Sequence, residues 1–297
     1  MIKLKMSEVN KAIIPIAGLG TRFLPLSKVV SKELWPLVDK PVLQYIIAEA
    51  KASGINHIVF VVSPGKKAVL DYFKSSPKIE KILKERKKDS LLSELKELED
   101  LTTGLTFSFV MQKNPLGDGH AVLQASKLIG DEPCAALWAD DVVSDCEVPC
   151  LLQLAKVFKT CQKPVIALYK LPPERLPSYG VVEVEKIANR LYKIKKIVEK
   201  PPLGQAPSNF AIVGKYILTP EVFEYLKKAK PSDKGEIILG EVFDAMLKEG
   251  KLIYGYEFEG KWLECGDKIG WLKSNLYLAL KHPKFGNSLK QYLKEIN

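Results

Sequence analysis

At 297 residues, 46% hydrophobic and 27% charged, the chain can bury a large core, and its composition excludes disordered and fibrous classes. Its 45 Lys and Arg against 35 Asp and Glu leave a formal charge of +10, so a polyanionic partner is expected, either nucleic acid or small phosphorylated ligands. Five cysteines without a CxxC pair and only three histidines argue against a zinc site or a disulfide framework and suit a reducing cytoplasm. The N-terminal apolar run is interrupted by Pro15, Gly18 and Arg22 and lacks a leader's cleavage site, and no segment approaches the roughly 20 apolar residues of a membrane span.

The first stretch with chemical content runs from Lys11 to Leu37. Ala12, Ile13, Ile14, Ile16 and Ala17 form an apolar run of strand length, followed by Gly18, Leu19, Gly20, Thr21 and Arg22. Glycines after a buried strand let main-chain N–H groups face anionic oxygens, Arg22 has the fork to grip a phosphate, and Lys28 and Lys32 add point charges. That outlines a phosphate-binding loop, although a plain glycine turn with solvated charges has the same local sequence. Phe23 occupies the third glycine position of the dinucleotide fingerprint, and no Walker sequence is present. Asp39 reads as the N-cap of a helix over 42–53, with Pro41 in its first turn and Gly54 beyond its end. A β-branched strand over 57–62 follows, so the chain opens as a doubly wound α/β sheet.

Residues 66–100 break the alternation with a charged helical insertion. Its isoleucines and leucines are spaced as amphipathic helices packed on a core, and the basic run over 84–88 reads as a solvated face. A strand over 105–111 then delivers Gln112 ahead of a Pro-Gly loop. The Gln112 amide can donate and accept at once, matching the edge of uracil or thymine; a surface glutamine before a turn is the plainer alternative. His120 reads as a structural residue at a helix start. The strand over 134–138 ends at Asp140 and Asp141, where α/β sheets bind ligands, although paired aspartates also cap turns. Another strand spans 165–171, and helices over 267–280 and from 285 onward close the chain.

AGLGTRFLP followed by SKELWPLVDKP resembles the signature of the sugar-phosphate nucleotidyltransferases, most of all their bacterial UTP–glucose-1-phosphate uridylyltransferase branch. The ordered motifs YGVV at 179–182, VEKP at 198–201 and PSNFAIVG at 207–214 extend the resemblance over roughly residues 10–283. It implies a single domain over 1–297, with a Rossmann-like, mostly parallel mixed sheet, helices on both faces and a C-terminal helical portion. It further implies that Ala17, Gly18, Gly20 and Thr21 hold a nucleotide whose pyrimidine is read by Gln112 and Gly117. Gly180, Glu199, Lys200 and Ile212 would hold a sugar phosphate, Asp140 would bind Mg²⁺, and Arg22, Lys32 and Lys200 would be catalytic. Several positions depart from the family pattern. Asp118 stands between the glycines of its GLGHA, and Ile238, Gly240 and Glu241 replace Gln, Thr and Asp of GEIQLTD. Glu264 replaces the aspartate that serves as second metal ligand, one methylene longer in a magnesium octahedron that tolerates little distortion.

The reaction so implied is UTP plus glucose 1-phosphate giving UDP-glucose and pyrophosphate, in a cytoplasmic homo-oligomer (dimer or tetramer) without nucleic-acid or membrane partners. Other readings are a dTTP donor or another hexose 1-phosphate, and a non-catalytic UDP-sugar-binding paralogue suggested by Glu264, Glu241 and Asp118. A nucleic-acid-binding protein would rest on net charge alone.

Overall fold

The apolar run after Lys11 forms strand β1 (Lys11–Pro15), whose side chains alternate between two cores. Ala12 and Ile14 face one and Ile13 the other, as the two-residue period of a strand requires. A computed structural model describes residues 9–233 and 235–296, so the N-terminal residues 1–8, part of the stretch weighed as a leader, lie outside it. A small hairpin, β2 (Pro36–Leu37) and β3 (Lys40–Pro41), precedes helix α1 (Val42–Ala52). Asp39 does not cap that helix as expected. Lys40 and Pro41 are spent in the hairpin, Pro41 takes the N-cap place, and the Asp39 carboxylate instead lies 3.2 Å from His282 Nε2.

Strand β4 (His57–Val62) leads to the insertion, made of α2 (Lys67–Tyr72), α3 (Pro77–Glu85) and α4 (Asp89–Thr102). Here the core expectation fails: α3 and α4 bury none of their residues, and Ile79, Ile82 and Leu91 stay exposed. The two helices pair with each other, so their apolar stripes cover one another only partly. Beyond them come β5 (Thr106–Met111), α5 (Asp118–Gln124), α6 (Ser126–Ile129), β6 (Cys134–Leu137), β7 (Asp141–Ser144) and α7 (Cys150–Cys161). The second half supplies β8 (Val165–Lys170), β9 (Gly180–Ala188), β10 (Leu191–Glu199), β11 (Phe210–Leu218), α8 (Pro220–Lys228) and α9 (Leu239–Lys248). The last elements are β12 (Tyr254–Glu257), β13 (Lys261–Glu264), α10 (Lys268–Lys281) and α11 (Gly286–Glu295).

Nine strands form one mixed sheet in the order β5-β4-β1-β6-β11-β8-β12-β10-β9. Parallel ladders join β5, β4, β1 and β6, and again β8 and β12, while the remaining neighbours run antiparallel, a larger antiparallel share than the sequence implied. Helices α1 and α7 cover one face with Leu43, Ile46, Leu151, Leu154 and Phe158; α5, α8 and α9 cover the other with Val122, Phe223 and Phe243. The central strands are therefore covered on both faces, which is why they read as continuous apolar runs, while the edge strands β5 and β9 stay partly exposed. β7 and β13 form a separate ribbon in which Glu264 pairs with Asp141, bringing residues 123 positions apart in sequence (264 − 141) side by side.

Candidate active site

The carboxyl ends of β1, β5 and β6 open on a cavity of about 560 Å³, where an α/β sheet binds ligands. Ala17, Gly18, Arg22 and Lys32 line it from the first loop; Gln112 and Gly117 from the loop after β5; Asp140 from the end of β6. Gly180, Glu199, Lys200 and Ile212 line it from the second half, so these eleven sequence-nominated residues share one space. Gly20 and Thr21 do not line it. Gly20 adopts a left-handed φ of 63° that starts a short 3₁₀ turn, and this turn carries Thr21 to the exposed surface. Glu264 lines a neighbouring cavity of about 450 Å³ together with Arg22, Asp140 and Lys200.

Two cations and one carboxylate meet where the cavities join. Lys32 Nζ lies 2.5 Å from Asp140 Oδ2, and Arg22 Nη1 donates to the Gly266 carbonyl at 3.0 Å. Burial alone would raise the Asp140 pKa, but the Lys32 ammonium outweighs it and holds the carboxyl below its ordinary value. Burial likewise pulls Lys32 down, and the Asp140 carboxylate more than reverses it, so Lys32 stays charged. Asp141 points elsewhere with its hydrogen bonds. It accepts from Trp262 Nε1 at 2.8 Å and from the Gly214 N–H at 3.0 Å, and so clamps the β7–β13 ribbon to β11. Burial first, and the Asp140 charge second, push its carboxyl up to about 7.

On the sugar-side wall, Lys200 takes a left-handed φ of 46°, an uncommon conformation for a non-glycine residue, just before Pro201. Its N–H donates to Tyr179 O at 3.0 Å, and its Nζ lies 3.2 Å from Glu199 Oε1. A Cβ on Gly180 would come within 3.1 Å of Glu199 Oε2 and 3.3 Å of Ile212 Cδ1, so glycine keeps this carboxylate accessible. Glu264 is held by Arg175 Nη2 at 2.8 Å, and Arg175 also donates to the Tyr179 hydroxyl at 3.2 Å. Arg175 carried no motif in the sequence; only the fold brings it to Glu264. Asp140 and Glu264 offer hard carboxylate oxygens and no sulfur or imidazole, a donor set that fits a hard divalent cation keeping water and phosphate ligands. Among the described residues no group of three or more His, Cys, Asp or Glu could hold a metal by itself, so substrate oxygens would complete such a sphere.

The pyrimidine-side loop is braced from behind. The Ile237 N–H donates to Leu116 O at 2.8 Å, and the Gly119 N–H donates to Ile237 O at 2.9 Å. Asp118 Oδ1 accepts from the N–H groups of Gly119 and Leu239 at 2.7 and 3.0 Å, tying the loop to the start of α9. Burial dominates these bonds and pushes Asp118 up to about 6. The Gln112 amide differs from its sequence reading as joint donor and acceptor. Its Nε2 donates to Gly117 O at 3.0 Å and lies 2.9 Å from His120 Nδ1, so the donors turn inward.

The sequence pattern of the family described as nucleotidyl transferase matches residues 11–279. A Staphylococcus haemolyticus protein named UTP–glucose-1-phosphate uridylyltransferase is 40% identical over 291 residues, covering 98% of this chain and 99% of its own. The UTP-bound UGPase from Acinetobacter baumannii superposes with a TM-score of 0.89 at 34% identity, over 97% of this chain and all of that one. A UDP-glucose pyrophosphorylase complexed with UDP-glucose does so with a TM-score of 0.84 at 35% identity, over 92% of this chain and all of that one.

Proposed function

Because the chain belongs to the nucleotidyl transferase family, we propose that it is a UTP–glucose-1-phosphate uridylyltransferase, making UDP-glucose and pyrophosphate from UTP and glucose 1-phosphate. The observation that carries this reading is the single cavity, in which a pyrimidine-edge glutamine, a glycine turn with two cations, and a Glu-Lys pair suited to a sugar phosphate converge from both halves of the chain. The attacking oxygen of glucose 1-phosphate is already anionic, so no general base is needed. It bonds to the α-phosphorus of UTP as the bond to the bridging pyrophosphate oxygen breaks. The barrier lies in bringing two anions together in line.

Arg22 and Lys32 neutralise the triphosphate and the departing pyrophosphate. Lys200 holds the sugar phosphate, with its side chain 58% exposed and free to swing from Glu199 to a phosphate oxygen, while Glu199 accepts from sugar hydroxyls. Ala17 and Gly18 line the nucleotide end, and Gly180 and Ile212 line the sugar end. Asp140, with Glu264, would hold Mg²⁺, which when bound offsets charge on the phosphate oxygens. Lys32 pairs with Asp140 at 2.5 Å; with Asp140 engaged by such a cation, the Lys32 ammonium would be left to face the triphosphate.

We assign all of this to one domain spanning the chain and to the cytoplasm, a compartment suited to five unpaired cysteines. A homo-oligomer fits the exposed Ile269, Leu272 and Leu276, spaced along one side of α10. No described helix is long and apolar enough to cross a membrane. The test is pyrophosphate release with UTP and glucose 1-phosphate, with and without Mg²⁺, against dTTP and galactose 1-phosphate. Magnesium-dependent turnover preferring the first pair is expected. Silence with every pair, from folded protein that binds UTP, would favour the non-catalytic reading, whose one structural support is Glu264 being engaged by Arg175.

A further inference from the structure

Gln112 is only 5% exposed, yet it lines the cavity, so the edge it presents decides which base can sit there. The amide nitrogen has two hydrogens. One goes to the Gly117 carbonyl at 3.0 Å, and the other points at His120 Nδ1, 2.9 Å away. Nδ1 accepts it only in the neutral imidazole that carries its proton on Nε2. Burial holds the His120 pKa below its ordinary value, which keeps the ring neutral near pH 7. At the far side of the ring Gln124 Nε2 lies 3.0 Å from His120 Nε2; with Nδ1 already accepting from Gln112, Nε2 carries the proton, and exchanging the Gln124 amide's N and O sets an acceptor opposite it. Both hydrogens of the Gln112 amide are thereby engaged within the protein, and Oε1 is the end left for a ligand.

We propose that His120 is a positioning residue for nucleotide specificity: through Nδ1 it locks the Gln112 amide with its carbonyl toward the base. The site then requires a ring N–H donor, as at N3 of uracil or thymine, and opposes the N3 lone pair of cytosine. The lock rests on the uridylyl-transfer reading for its substrate but not for its geometry. Gln124 and Gly117 act with it, one setting the tautomer and the other taking the remaining hydrogen. Losing His120 leaves one of two constraints on the amide, and a single hydrogen bond lost corresponds to roughly a tenfold change in preference.

The test compares wild type, His120→Ala, His120→Asn and His120→Gln by calorimetric titration of UTP and CTP, with kcat and KM for both nucleotides alongside. Wild type is expected to favour UTP roughly 100-fold or more. His120→Ala should narrow that ratio about tenfold and raise KM for UTP, leaving kcat within about threefold. His120→Asn, whose Oδ1 can stand where Nδ1 does, should restore the ratio; His120→Gln, which reaches the Nε2 position, should not. A His120→Ala protein with an unchanged ratio, or one losing kcat at constant KM, overturns the lock. If the alanine variant does not fold, equal ratios in the Asn and Gln variants overturn it equally well. Wild type that binds UTP without turnover would instead refute the proposed reaction, and the binding ratios would still decide the lock.

Discussion

Lys215 is the most deeply buried charge that the site's framework depends on. It sits on β11 with its side chain 0% exposed, one residue from Gly214, and its Nζ lies 2.7 Å from Glu49 Oε2 on α1. Glu49 is 10% exposed, and its other oxygen accepts the Leu151 N–H at 2.9 Å in the first turn of α7. One ion pair therefore ties the strand carrying Ile212 to both helices of that face. Burial alone would lower the Lys215 pKa, but the Glu49 carboxylate beside it more than reverses this, so Lys215 stays charged. Lys215→Met removes the cation and leaves the carboxylate in the core with one backbone donor. Breaking a buried pair costs about 3–5 kcal/mol, and the surviving hydrogen bond puts this site at the lower end, about 3 kcal/mol. With an unfolding entropy of about 2.1 cal/mol/K per residue over 297 residues, each kcal/mol shifts Tm by about 1.6 °C, so Tm should fall by roughly 5 °C. Lys215→Met/Glu49→Gln deletes both charges while keeping an acceptor for Leu151, and should recover to within about 1–2 kcal/mol of wild type. Urea denaturation and calorimetry at pH 7 measure both. A single variant within about 1 kcal/mol of wild type, or a double variant no more stable than the single, would refute the reasoning.

Lys200→Ala should lower kcat/KM about 100-fold or more with Tm nearly unchanged, because the side chain is exposed and its ion pair with Glu199 lies at the surface, where such pairs add little stability; near-normal turnover would remove Lys200 from the mechanism. Arg175→Met should free Glu264, lowering the Mg²⁺ concentration for half-maximal rate by roughly 2–5-fold, the worth of a partly exposed ion pair; a metal titration reads it, and an unchanged midpoint speaks against Glu264 as a ligand. Asp118 has a folded pKa of about 6 against an ordinary 3.8, so its contribution is fully present below the unfolded value and lost as pH rises through 6. Asp118→Asn keeps the acceptor for Gly119 and Leu239. The stability difference between variant and wild type should therefore grow in the variant's favour by on the order of 2 kcal/mol from pH 4 to pH 8. Thermal melts across that range test the sign, and parallel profiles for the two proteins would contradict it.

What could be read before the structure was whatever depends on residues near one another in sequence. The β1 run, the Gly18 turn, the Gln112 loop and the Asp140 strand end each carry a local signal, because burial and turn geometry act over a few residues. Their order also placed them at the carboxyl edge of one sheet. Local pattern misled in the insertion, where amphipathic spacing predicts a covered face but cannot say what covers it; α3 and α4 pair with each other, and half-buried Leu101 at the end of α4 packs on the core. It misled again at Asp39, where two residues needed for the cap went into a hairpin.

The amino-acid order by itself determined the strand-and-helix alternation and the chemical types available to the site. Tertiary structure alone decided which groups meet. Arg175 reaches Glu264 across 89 residues, and Lys32 reaches Asp140 across 108. The Gln112 amide is oriented by Gly117, just ahead of α5, and by His120 in its first turn. A side chain's type sets what it can donate or accept, but which of its atoms stays free for a ligand depends on the neighbours that packing supplies.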